Sequence, residues 1–214
     1  MLLALDTATV VVTVAVHDGT RALASYDAEA GPRHGELLAP AVADVLRRAG
    51  VDRRDLTEVL VGVGPGPYTG LRVGLMTART LGFVLGVPVF GVVTLDALAA
   101  AQAALLGSGR PYVVATDARR REVFWARYEG HRRVEGPVVG RPADLAGRLA
   151  GAPVVGRGGW LYADVLAPVD GPRDPSAVLL AQARVDGTVE LVAPEPTYLR
   201  RPDVSEPGPR KRVL

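Results

Sequence analysis

The apolar positions of this chain change their spacing several times, and each change marks an element. Leu2–Leu5 is a short apolar run, Val10–Val16 is β-branched, and Arg21–Tyr26 supplies a third strand. Asp18-Gly19 makes a hairpin turn between the last two, so a three-stranded antiparallel meander is expected. From Arg33 to Ala49 the apolar residues Leu37, Leu38, Ala41, Val42, Val45, Leu46 and Ala49 recur at helical spacing. Arg47 and Arg48 complement that helix's C-terminal dipole, Gly50 stops it, and Pro40 should kink it or close its first turn. A buried strand over Glu58–Val63, a helix over Thr69–Leu85 capped by Thr69, and a strand over Val87–Val92 follow. A further helix, capped by Thr94 and with Asp96 in its first turn, runs through Leu106 to a linker at Gly107-Ser108-Gly109.

The second half opens as the first does. Asp6 follows Leu-Ala-Leu, and Asp117 follows Val-Ala-Thr. An ungapped shift of 111 residues superposes Asp6 on Asp117 and Gly19 on Gly130, with a strand between each pair, Val10–Val16 or Glu122–Tyr128. That coincidence predicts a duplication. A helix over Ala143–Ala150, a strand over Pro153–Val155 and a helix over Pro175–Val185 come next, and residues 201–214 form a tail rich in Pro and charge. Two meanders, each followed by strand–helix units, predict an α/β protein of two βββαβα-type domains, 1–107 and 108–200. That is the plan of the actin-like (ASKHA), ribonuclease-H-like folds.

Composition removes several chemistries. The 214 residues include no Cys, and His17, His34 and His131 are scattered, so a thiolate nucleophile and a metal centre are not expected. The longest apolar stretch, Val73 to Val93, contains Arg79 and Pro88 and reads as helix then strand rather than a membrane span. The apolar start ends at Asp6 without a basic flank, so cytoplasmic residence is expected. Residues 1–107 carry 8 basic and 10 acidic residues, the remainder 17 and 13. All the basic residues but Lys211 are Arg, a skew that fits coding bias and weakens an RNA reading of Arg119–Arg121, despite Phe124, Trp125 and Tyr128 nearby.

The densest segment is Gly64-Pro65-Gly66-Pro67-Tyr68-Thr69-Gly70-Leu71-Arg72, between a strand and a helix. No Gly-Lys-Ser/Thr follows, so it is not a P-loop; a rigid turn aiming a helix accounts for it, with anion binding at the helix start as the alternative. Gly70, Gly74, Ala78, Gly82 and Gly86 then recur every four residues. Each Gly costs about 1 kcal/mol of helix propensity relative to Ala. Close approach by another backbone, inside the domain or across an interface, would offset it. The turns Asp6-Thr7-Ala8 and Asp117-Ala118-Arg119 both lack the Gly of an Asp-x-Gly phosphate turn, which argues against an independent phosphotransferase. Ser25, Ser108, Ser176 and Ser205 lack a nucleophile-elbow context, which argues against a peptidase.

Gly64–Arg72, its continuation Pro88-x-x-Gly91-Val92-x-Thr94-Leu95-x-Ala97-Leu98-Ala99, the stretch Asp117-Ala118-Arg119-Arg120-x-Glu122-Val123, and Pro196-x-Tyr198-Leu199-Arg200 together resemble the TsaB (YeaZ) family. Pro67 and Arg121 depart from its pattern, where small residues are expected. The resemblance implies an actin-like fold and a non-catalytic subunit. Its implied partners are a TsaD-type catalytic subunit and a TsaE-type ATPase, which together transfer threonylcarbamoyl from its adenylate to N6 of the adenosine next to the anticodon in tRNA. ATP would be used by the complex, with no cofactor bound tightly by this chain, and tRNA would be met through the complex. Docking is expected on the helices Arg33–Ala49 and Thr69–Leu85, through Leu37, Leu38, Val42, Val45, Tyr68, Leu71, Arg72, Gly74, Leu75, Ala78 and Gly82, with a homodimer as the free form. Asp6, Thr7, Asp117 and Arg119 would mark a vestigial nucleotide site.

Overall fold

The computed structural model describes residues 1–106, 111–149 and 151–200. The meander forms as β1 (Leu2–Asp6), β2 (Val11–His17) and β3 (Ala22–Glu29). Then come α1 (His34–Ala49), β4 (Glu58–Gly62), α2 (Tyr68–Leu85), β5 (Val89–Val92) and α3 (Thr94–Leu106). The five strands lie in the order β3-β2-β1-β4-β5, antiparallel through the meander and parallel from β1 outward. The second half gives β6 (Tyr112–Asp117), β7 (Val123–Glu129), β8 (Arg132–Gly140), α4 (Pro142–Leu149), β9 (Val154–Val155), the short α5 (Arg157–Leu161) and α6 (Ala177–Val185). Its sheet runs β8-β7-β6-β9, the strand order of β3-β2-β1-β4 repeated. Asp6 and Asp117 therefore end equivalent central strands, as the shifted sequence match predicts.

Side chains alternate across the first sheet with the two-residue period of a strand. Leu3, Leu5, Val12, Val14, Val59 and Val61 face the apolar stripes of α1 and α2, including Leu38, Val42, Val45, Leu71 and Leu75. Leu2, Ala4, Ala15 and Leu60 face the other way, onto Ala97 of α3 and Ala177, Leu180 and Ala181 of α6. The chain therefore returns to its first sheet at α6. Val192 bridges to Gly91 beside β5, and Thr197 N–H donates to the Val63 carbonyl (2.9 Å). A division at residues 108–200 thus separates α6 from the sheet it covers. The sequence shows α6 as a helix but carries no local sign of which sheet takes it.

Buried polar groups tie this return down. Gly19 N–H donates to His17 Nδ1 (3.0 Å), which leaves the ring's Nε2–H to meet Gln182 Oε1 of α6 (3.2 Å). Thr13 Oγ1 accepts the Ala177 N–H at the start of α6 (2.7 Å). Across the halves, the Arg157 guanidinium grips both oxygens of Asp174 and reaches Glu29 at the end of β3 (2.6 Å). Buried α3 fills the seam between the sheets, where Tyr112 OH donates toward the Ala99 carbonyl (2.8 Å) and Tyr128 OH toward Asp96 Oδ1 (2.6 Å).

Three local expectations change. α1 passes unbroken through Pro40, because the missing hydrogen bond falls on an exposed face that is open to solvent. Thr69 does not cap α2: the helix begins at Tyr68 with Pro67 in the cap position and no side-chain cap bond. Thr94 does not cap α3 either; its hydroxyl is turned sideways into the site described next. The proposed linker at Gly107-Ser108-Gly109 and the tail at 201–214 lie outside the described residues.

Candidate functional site

Three of the segments singled out in the sequence converge between the two halves. A cavity of about 350 Å³ is walled by Gly66, Pro67 and Tyr68 ahead of α2, by Ala118, Arg119 and Arg120 after β6, and by Tyr198, Leu199 and Arg200, with Phe124 of β7 beneath. Tyr68 and Tyr198 stack with ring centroids 4.5 Å apart. The Arg72 guanidinium, one helical turn beyond Tyr68, lies 3.8 Å over its ring, donates through Nε to Tyr198 OH (2.9 Å), and bonds Tyr68 OH. Tyr68 and Arg72 thus act within the chain as the clasp that holds its returning end.

The opposite wall is strained. Arg119, Arg120 and Arg121 all have left-handed backbones, with φ of 60°, 54° and 61°. Each costs roughly 1–2 kcal/mol for a non-glycine residue, a cost that glycine at any of the three positions would escape. Asp117 Oδ1 accepts the Arg119 N–H (2.8 Å), Ala118 and Glu122 close the turn on each other and on Arg119, and Arg200 donates to the Ala118 carbonyl (2.9 Å) while pairing with Glu122. Composition gave no hint of this turn, although Asp117 two residues before Arg119 is a signal for such an Asx turn.

The first half's phosphate-type turn is shut. Asp6 is 1% exposed; Oδ1 accepts from Ala8 N–H (2.7 Å) and Oδ2 from Thr94 Oγ1 (2.8 Å), which itself accepts from Gly64 N–H (3.2 Å). Thr7 Oγ1, also buried, donates to the Gly70 carbonyl (2.8 Å). A Cβ at Gly66 would lie 2.1 Å from the Ala8 carbonyl oxygen, and one at Gly62 would lie 1.8 Å from Asp6 Oδ2. The glycines of this loop exist to let it lie on the Asp6 turn, where a phosphate would otherwise approach. Of the four residues expected at a nucleotide site, Asp6 and Thr7 are sealed within the first domain, Asp117 braces the arginine turn, and Arg119 alone lines the cavity.

Burial pushes the Asp6 carboxyl up to about 6, against the lowering pull of Ala8 N–H and the Thr94 hydroxyl. The sign follows from linkage. Because the folded pKa exceeds the unfolded one, the folded state takes up the proton first, and the resulting stability is present below pH 3.8 and lost as pH rises to about 6. Asn removes the charge and keeps an oxygen for the Ala8 N–H, while its NH2, in place of Oδ2, would donate to the Thr94 hydroxyl instead of accepting from it. Asp6→Asn should therefore gain about 3 kcal/mol relative to the parent between pH 4 and neutrality. Thermal melts of both proteins across that range are the check; a difference that does not vary with pH would contradict the buried-carboxylate account.

The expected docking residues divide by face. The glycine stripe is internal: a Cβ at Gly70 would lie 2.7 Å from the Thr7 carbonyl oxygen, at Gly74 2.3 Å from Thr7 Oγ1, and at Gly82 2.2 Å from Val89. Ala78, Leu71 and Leu75 lie in the same core, as do Leu38, Val42 and Val45 of α1, with Leu37 half-buried against it. Helical periodicity identifies these residues as one face but is silent about which face a partner would meet. The outward face carries Gly35, Ala39 and Ala43 on α1, and Arg72, Met76, Phe83 and Val84 on α2. Phe83 is 90% exposed, Val84 69% and Met76 61%. Among the described residues, no three His, Asp or Glu side chains converge as a metal site, and no helix is long and apolar enough to cross a membrane.

The comparisons agree with one another. The family model described as TsaD, tRNA N6-adenosine threonylcarbamoyltransferase, matches residues 27–164. An uncharacterized protein of Mycobacterium tuberculosis (strain ATCC 25618 / H37Rv) is 42% identical over 94% of this chain and 92% of its own length. The tRNA threonylcarbamoyladenosine biosynthesis protein TsaB of Escherichia coli (strain K12) is 38% identical over 60% of this chain, a match spanning 54% of that protein. The solved structure of YeaZ from Pseudomonas aeruginosa superposes with a TM-score of 0.75 at 31% identity, covering 92% of this chain and 99% of that one. With the duplicated sheets and the motif-lined cleft, these matches place the chain, an actin-like α/β protein, in the TsaB/YeaZ family.

Proposed function

We propose that this protein is an accessory subunit in the synthesis of threonylcarbamoyladenosine in tRNA, pairing with a TsaD-type transferase and acting beside a TsaE-type ATPase. Kinship with proteins named for that pathway supports the reading. The observation that carries the non-catalytic part is the closed Asp6 turn, in which Gly66 occupies the approach to the backbone amides and Asp6 is bonded on both oxygens. An independent phosphotransferase would need that turn open. A peptidase, the other reading associated with YeaZ-like proteins, would need a nucleophile beside a general base. Of the serines, Ser25 and Ser176 alone lie among the described residues, and neither has a side-chain hydrogen bond to a histidine.

In this reading the partner meets the outward face of α1 and α2. The small residues Gly35, Ala39 and Ala43 let another helix approach, and Met76, Phe83 and Val84 supply the apolar contact. A second copy of the chain would use the same face when the transferase is absent. Co-purification with the TsaD-type subunit of the same organism, with and without ATP, tests the pairing. A stable complex in both conditions, with no ATP hydrolysis by the isolated chain, is expected. ATP turnover by the isolated chain that disappears in Asp6→Ala would overturn the non-catalytic reading.

A further inference from the structure

A second polar site lies on the far side of the seam, where α3 meets the β7–β8 hairpin and the strand-like segment after α6. Asp96, 6% exposed, lines a cavity of about 380 Å³ together with His131, Arg132, Arg133, Thr188 and Glu190. Both contacts made by its carboxylate fall on Oδ1, from Tyr128 OH (2.6 Å) and from Arg133 Nη1 (3.4 Å); among the described residues none falls on Oδ2. Arg133 Nη1 is buried, and the ion pair is too long to give it a hydrogen bond. Opposite charges are therefore held side by side, each with unused bonding capacity, at the base of one opening. A buried guanidinium nitrogen without a hydrogen bond is costly, so Arg133 Nη1 would gain from a further acceptor.

Arg132 is held by Glu129, so the charges left to face the opening are Asp96 and Glu190 against Arg133, and both signs are present. His131 and Thr188 line both this polar cavity and a neighbouring one of about 530 Å³. That neighbour is walled mainly by apolar side chains of α3 and α6, among them Ala101, Ala103, Leu105 and Leu179. A polar chamber with both signs of charge, beside an apolar one, fits a zwitterion carrying an apolar substituent. We propose that this seam binds a free α-amino acid with an apolar side chain. Its ammonium group sits on Asp96 Oδ2 and Glu190, its carboxylate on Arg133 and His131, and its side chain in the alanine-lined chamber. The site is independent of the cleft between the halves and of the partner face.

Isothermal titration of the full chain with leucine and phenylalanine, and with N-acetyl-leucine and leucinamide, tests this. Saturable millimolar or tighter binding of the free amino acids is expected, with both blocked forms at least about tenfold weaker because each lacks one charge. Glu190→Gln changes an exposed residue and Ala103→Phe narrows the apolar chamber; each should weaken leucine at least about tenfold with an unchanged melting temperature in the ligand-free protein. No binding at millimolar amino acid, binding indifferent to blocking either charge, or full affinity in both variants would each overturn the proposal.

Discussion

Gly74→Leu should lower the melting temperature by about 10 °C or more, as a failure of the fold rather than of an interface. Position 74 faces β1: a Cβ there would stand 2.3 Å from Thr7 Oγ1 and 3.4 Å from Leu5. Thr7 Oγ1 is already committed to the Gly70 carbonyl one turn earlier on α2. A leucine has no void to enter, so α2 must lift away from the sheet. Overpacking of this kind costs about 1–3 kcal/mol or more, and a displaced, buried Thr7 hydroxyl adds about 1–3 kcal/mol. Against a total stability of about 5–15 kcal/mol, that sum is a large fraction. Circular dichroism melts of the parent and Gly74→Leu decide it. Melting within a few degrees of the parent would mean that the stripe does not seat α2 on β1.

The opposite outcome is expected on the outward face of the same helix. Met76→Glu combined with Phe83→Arg should leave melting nearly unchanged, because exposed substitutions shift stability by only about 0.5 kcal/mol. Association with the TsaD-type subunit should weaken about a hundredfold, since a buried aromatic anchor contributes about 2–4 kcal/mol and two charges would enter the contact. Titration calorimetry with matched melts separates the two effects. Leu38→Glu or Leu75→Glu could not do so: both positions are buried in the chain's own core, and lost binding would follow from unfolding. Unchanged affinity in the Met76/Phe83 variant would place the partner elsewhere.

The elements and their order were legible because strand and helix periods are local. Asp6 and Asp117 revealed the duplication for the same reason, as each ends a short, mostly apolar strand before its turn. What periodicity could not supply was direction. Leu38, Val42 and Leu75 share a stripe with the right spacing, but the same stripe describes a core and a docking face, and only the sheet beneath α1 and α2 decides between them. The glycines carried more information than their spacing conveyed, since each marks a particular neighbour: Thr7 for Gly70 and Gly74, Ala8 for Gly66, Asp6 for Gly62. Thr94 was misread because its position suits a cap, while its hydroxyl is drawn 88 residues back to Asp6. The Tyr68–Arg72–Tyr198 clasp was out of reach because it depends on the chain's return after α6, and the seam around Asp96 because it depends on how α3 docks on the β7–β8 hairpin.

The most direct measurement is formation of threonylcarbamoyladenosine on tRNA, followed by mass spectrometry of nucleosides, in a reaction reconstituted from one organism's components. The mixture holds the TsaD-type subunit, the TsaE-type ATPase, ATP, threonylcarbamoyl-adenylate and tRNA. Leaving out this chain should abolish the product, and adding back either the parent or Asp6→Asn should restore it to the same level, while the Met76→Glu/Phe83→Arg variant should not. Full product without the chain, or restoration by the parent but not by Asp6→Asn, would contradict a docking subunit that performs no chemistry at its own closed turn.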